Sequence, residues 1–172
     1  MAGQKGEAVP GVQATARETA VLVASLNRRR DHVLGILDGL GDEALRRPVL
    51  PSGWACAGLV QHLALDVERF WFRNVFAGEA VGQPDDAWVV RPGAPPADVF
   101  DLYRHEIELA NEIIAGHSPD SPPTSWPERW PNWRYHDLRQ IVLHVITETA
   151  CHAGHLDAAR ELIDGRTWLV LD

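Results

Sequence analysis

The chain has 172 residues with 16 basic and 24 acidic side chains, for a formal net charge of −8. That length fits one domain with a real core, and the charge argues against nucleic acid as the main partner. No apolar run reaches membrane-spanning length, and the N-terminus lacks the apolar core of a signal peptide. Two cysteines, Cys56 and Cys151, are too few for a disulfide framework, so a reduced, cytoplasmic setting is expected.

Residues 1–13 are rich in Gly and Ala and read as a flexible leader, with 14–172 as a single domain. A first helix is expected from Ala16 to Leu40, carried by Leu22, Leu26, Val33, Leu37 and Leu40 at three-to-four spacing. The basic run Arg28-Arg29-Arg30 within it reads as a solvated face. After the turn Pro51-Ser52-Gly53-Trp54, a second helix spans Ala57 to Phe76, with Leu59, Leu63, Phe70 and Asn74 on one face and His62 and Asp66 on its edge, one turn apart. Residues 77–96 form a long Gly- and Pro-rich connection. A third helix begins just after Pro95-Pro96 and ends at Gly116. A second Pro-rich loop, His117 to Tyr135, carries Trp126, Trp130 and Trp133. The fourth helix runs from His136-Asp137 to Asp164, with Gly165 as its stop. The tail Thr167–Leu171 is expected to pack back or form a short strand. Four long amphipathic helices predict an all-α fold, a four-helix bundle whose two long loops are crossover connections.

The fourth helix carries the chemistry. At about 100° per residue, with His144 at zero, His155 falls near 20°, Glu148 near 40° and His152 near 80°. Ile141 and Ala159 fall near 60°, Val145 and Ile163 near 100°. Three histidines and a glutamate thus share the apolar face, where ionisable groups are rare unless paired or bound to metal. Glu148 and His152 stand one turn apart and can hold one ion; a third ligand must come from a neighbouring helix, and His62 is the best placed. Two imidazoles and one carboxylate suit Zn²⁺ with an open position, or Fe²⁺ or Ni²⁺. His155, His144 and Asp66 are expected beside these ligands as orienting or proton-handling groups, with Asp66 also eligible as a fourth ligand. Cys151 at the edge of the same face reads as a small buried residue or a reactive thiol. The tryptophans at 54, 71, 88, 126, 130 and 133 are expected to wall a pocket or pack the loops. His32, His105, His117 and His136 read as surface or capping residues, and Arg160 as a contact to a carboxylate or a helix neighbour.

Two blocks resemble the DinB-like superfamily. One comprises Pro51-Ser52-Gly53, then Gly58-Leu59-Val60-Gln61-His62-Leu63 and Glu68-Arg69-Phe70-Trp71-Phe72. The other runs from Val142 to Asp157 and is followed by Arg160-Glu161-Leu162-Ile163-Asp164-Gly165. The branch resembled is the one that groups with mycothiol-dependent transferases, over residues 15 to 165. The resemblance implies a four-helix bundle with a central divalent metal, often a homodimer. In many members of the superfamily the helix 4 ligands are two histidines at i and i+4; here the first is Glu148. This is similar to the branch of mycothiol-dependent maleylpyruvate isomerase and implies His62, Glu148 and His152 as ligands. Cys151 stands where related sequences usually carry Arg, a departure that bears on thiol or substrate contacts. The implied activity is a metal-dependent S-transferase that activates a low-molecular-weight thiol, with mycothiol as co-substrate, for attack on a small electrophile. His155 or Asp66 then accepts the thiol proton, and Arg160 is the expected contact to the thiol cofactor. A metal-dependent hydrolase or isomerase on the same residues, and a non-catalytic metal-binding stress protein, are the competing readings.

Overall fold

The computed structural model describes residues 10–168, with side chains from residue 15. The helices are α1 (Pro10–Leu37), α2 (Asp42–Arg46), α3 (Cys56–His62, continuing as a π-helix over Leu63–Phe76), α4 (Pro96–Gly116) and α5 (Leu138–Asp164). Among the described residues there is no strand, and the fold is the expected all-α bundle. No described helix is long and apolar enough to cross a membrane. Helix α1 begins at Pro10, six residues before Ala16, so residues 10–13 of the expected leader are already helical. Residues 1–9, like Leu169–Leu171 of the tail, lie outside the described residues. Trp168 does pack back, its ring stacked on His32 at 5.3 Å.

Cross-helix contacts set the directions. Early α5 meets early α1 at Arg139 and Glu18, and late meets late at His32 and Asp157, so these two helices run parallel. Helices α3 and α4 are also parallel, since Arg69 meets Glu106 and, farther along both, Phe76 meets His117. Helix α5 is antiparallel to α3, since His152 meets His62 and His144 meets Trp71. A connection between parallel neighbours must travel the length of the bundle, which is why residues 77–95 form a long crossover.

The core reflects apolar spacing. Leu26, Val33, Ile36 and Leu37 of α1 are buried, as are Ile141, Val142, Val145, Ala153, Leu156 and Ala159 of α5. Helix α5 is well delimited. The Asp137 carboxylate accepts from Gln140 N at 2.8 Å as N-cap, and Gly165 closes the helix in the left-handed region at φ 80°. In α3 the turn widens after His62, and the last backbone bond runs from Ala77 N to Phe72 O, five residues back, at 2.9 Å. Burial there recurs every four residues, at 63–64, 67–68, 71–72 and 75–76. The expected face through Phe70 and Asn74 is therefore displaced. Both are half-buried, and Asn74 instead holds the crossover by donating to Glu79 O and Val81 O, each at 3.0 Å.

The displaced register buries Glu68. Arg30, expected on a solvated face, is 1 % exposed and meets Glu68 through two bonds, Nε to Oε1 at 2.7 Å and Nη2 to Oε2 at 2.6 Å. Its Nη1 also donates to Asn27 and Asn111, both at 2.8 Å. Arg28 and Arg29 do face solvent. His32, expected at the surface, is likewise buried, with Nε2 2.8 Å from Asp157 Oδ1.

Candidate metal and thiol site

The histidine ladder of α5 borders its buried stripe rather than occupying its centre. On the same helical wheel, buried positions from Ile141 to Ala153 span about 60° to 180°, with Val145, Leu156 and Thr149 between. His144, Glu148 and His152 lie on the flank nearest α3 and are half-buried; His155 and Cys151, farther round, are exposed. The flank is where α5, α3 and both long loops converge.

His62 ends the regular turns of α3, and its ring meets that of His152 edge-on, centroids 5.0 Å apart. Behind it, one turn on, Asp66 Oδ2 accepts from His62 Nδ1 at 2.9 Å. That bond fixes the tautomer and leaves Nε2 as the lone-pair donor, an arrangement common behind metal-bound imidazoles. His152 Nε2 lies 3.7 Å from Glu148 Oε2, and its Nδ1 is 3.5 Å from His155 Nδ1. Burial, and then the charges of His62 and His155, depress the His152 pKa to about 4, so the ring is neutral at physiological pH. Burial also lowers the pKa of His144, a shift that Glu148 opposes.

The donor chemistry fits a divalent ion: two imidazoles from different helices, one of them backed by a carboxylate, and a second carboxylate one turn away. The arrangement is pairwise. Among the described residues no three His, Cys, Asp or Glu side chains stand as a group able to hold a metal. Glu148, whose side chain is 39 % exposed, makes no hydrogen bond among the described residues and is free to turn.

Aromatic rings close the site. Trp88, in the crossover, stacks on His62 at 4.1 Å and lies 5.8 Å from His152. Trp54 sits 6.3 Å from His155. On the Glu148 side, His144 touches Trp71 at 4.6 Å and Tyr135 at 5.3 Å. Burial raises the Tyr135 pKa, and the Glu148 charge adds to the shift, so the phenol and carboxylate share one environment.

Two positioning residues carried no signal legible in isolation. Gln61 Nε2 donates to Ala87 O at 2.8 Å and to Val89 O at 3.1 Å, gripping the crossover on both sides of Trp88. A Cβ at Gly58 would lie 2.2 Å from Trp88 O, so only glycine lets the loop settle this close. Tyr135 was likewise silent in the sequence, marking only the end of a loop.

Arg160, the expected thiol contact, is not brought to the site. It lies near 160° on the wheel, on the α1 side of the buried stripe, about 80° or more from Glu148 and His152. There it is 4 % exposed, pairs with Asp164 at 2.8 Å and donates to Ile36 O and Asp38 O at 2.8 and 2.9 Å. Its guanidinium locks α5 to the end of α1.

The family model for mycothiol-S-transferase matches residues 21–165, from within α1 to the C-cap of α5. No curated protein and no solved structure matches the chain. The matched span contains every side chain of the site, the greater part of α1 and the three other long helices, and on that ground the chain belongs to the mycothiol-S-transferase family.

Proposed function

We propose that this protein is a metal-dependent thiol S-transferase that joins mycothiol to a small electrophile, with a divalent ion, zinc by preference, held by His62, Glu148 and His152. The observation that carries the reading is the His62–His152 ring contact across two helices, with Asp66 fixing the donor nitrogen of His62. Bound there, the ion supplies Lewis acidity that lowers a thiol pKa, so that thiolate is available near neutral pH. Asp66 keeps His62 Nδ1 protonated and its Nε2 free. His155, exposed and beside His152, accepts the thiol proton and returns it to solvent. Trp88 and Trp54 exclude water from one side of the thiol, while Tyr135, His144 and Trp71 bound the other. Cys56 and Cys151 are both unpaired thiols, which suits a reducing cytoplasm.

Purified protein loaded with zinc is expected to bind one equivalent per chain and to conjugate mycothiol to a general electrophile, with turnover lost on chelation. His152→Ala should lose both the metal and the activity. Stoichiometric metal retained in His152→Ala, or no metal-dependent turnover with mycothiol, overturns the assignment.

A further inference from the structure

The loop between α4 and α5 builds a concavity of its own. It is a cleft of ≈ 590 Å³ walled by Trp126, Trp130 and Trp133 and edged by Glu128, Asn132, Arg134 and His136. The ring cluster is a rigid scaffold. Trp130 is held between Trp71, stacked at 5.6 Å, and the Arg129 guanidinium, 4.4 Å from its centroid. Trp126 Nε1 donates to Trp130 O at 3.1 Å. Trp133 contacts both Trp126 and Trp130 at 5.3 Å yet stays 45 % exposed. Core packing accounts for Trp71 and Trp130. It does not account for an exposed indole ringed by polar side chains.

Those polar side chains are uncommitted. Glu128, Asn132 and His136 make no side-chain hydrogen bond among the described residues, and Arg134 only faces the Trp126 ring at 5.9 Å. An aromatic face flanked by an amide, a carboxylate, an imidazole and a guanidinium is the chemistry that recognises a sugar. The ring's C–H face lies on the indole while its hydroxyls bond to the planar polar groups. A flat apolar ligand would leave these groups without a partner, and an inorganic anion would make no use of the indoles.

The cleft is linked to the metal-ligand candidates through ring contacts. Tyr135 touches Trp133 at 5.2 Å and His144 at 5.3 Å, and Glu148 follows His144 by one turn. From His144 to His152 is about 12 Å along the helix. A ligand with a carbohydrate at one end and a thiol at the other is of the kind that would reach from the cleft past Tyr135 and His144 toward Glu148 and His152.

We infer that the Trp126–Trp130–Trp133 cleft is the subsite for the carbohydrate portion of the thiol co-substrate, with Trp133 as the stacking platform and Asn132 and Glu128 as hydroxyl partners. This rests on the reading that the co-substrate is mycothiol, a thiol carried on an amino sugar joined to inositol. The subsite sets thiol specificity, and it lies apart from the residues that activate the thiol.

The test uses the thiol-free fragment glucosaminyl-inositol, titrated against the full chain by calorimetry. Wild type and His152→Ala are expected to bind it equally. Trp133→Ala and Asn132→Ala should each weaken binding at least tenfold, and Trp133→Phe should restore most of it. In the metal-loaded enzyme, Trp133→Ala should raise the KM for mycothiol by a similar factor with kcat within twofold. No fragment binding to wild type, or equal binding to Trp133→Ala, overturns the subsite. Efficient turnover of N-acetylcysteine in place of mycothiol also overturns it while leaving the S-transferase reading intact. Fragment binding without mycothiol turnover supports the subsite and sinks the S-transferase reading, so the two fail separately.

Discussion

Cys151 and Cys56 differ in everything that governs thiol reactivity. Cys151 is exposed on α5 beside His152, while Cys56 is 1 % exposed and burial raises its pKa to about 11. The thiolate is the reacting species. Native protein is therefore expected to take one equivalent of an alkylating reagent, at Cys151, and Cys56 should react only after unfolding. Two fast equivalents on the native protein would contradict this. Gly58 acts at the same scale. The Cβ of Gly58→Ala has no room against a backbone oxygen, so the crossover must move and carry Trp88 off His62. Overpacking of this kind costs about 1–3 kcal/mol. Thermal denaturation should show that loss, and the mycothiol KM or kcat should change with it.

At the scale of elements, α3 shows how one widened helix rearranges its neighbours. Its π-helical register turns Glu68 inward, where Arg30 of α1 meets it with two short bonds across the bundle. A buried ion pair is costly to assemble and much costlier to break by halves. Glu68→Ala, which leaves the Arg30 guanidinium buried against only Asn27 and Asn111, is expected to destabilise by about 3–5 kcal/mol. The double variant Arg30→Met, Glu68→Leu should recover most of that loss. Denaturant unfolding of the three proteins checks both statements, and a Glu68→Ala protein as stable as wild type would contradict the first. The same widening places Asp66 behind His62 and frees Asn74 to grip the crossover, so site and scaffold share one irregularity.

The molecule as a whole is fastened by charged groups at the ends of α1 and α5. Arg160 joins Asp164 to the carbonyls of Ile36 and Asp38. The Arg160 bond holds the Asp164 carboxyl below the usual aspartate value, with a further contribution from the Arg166 backbone N–H. A carboxyl whose pKa falls on folding contributes stability that is present above its unfolded pKa and fades as pH drops through the folded one. Unfolding followed between pH 6 and pH 2 should therefore show the Asp164→Asn variant losing less stability on acidification than wild type. An identical acid profile would remove Asp164 from this role. Solvent screens so exposed a carboxylate, and the contribution is modest.

Periodicity and capping signals made the four long helices, the stop at Gly165 and the all-α class legible, because helix formation and amphipathic burial are local properties. His62, Glu148 and His152 could be singled out for the same reason: ionisable groups beside an apolar stripe are visible in one helix. Which flank of that stripe faced which neighbour was not local. Arg160 and Asp157 sit on the α1 side of α5 and the histidines on the α3 side, so Arg160, close in sequence to His152, serves a different junction. Arg30 looked solvated because its partner Glu68 is 38 positions away on a helix whose turn widens. Gly58 and Gln61 acquired their roles only when the crossover was laid on top of them. The ladder of ionisable groups on α5 could be read from spacing alone; which of its members meet His62, Trp71 and Tyr135 depends on contacts that only packing creates.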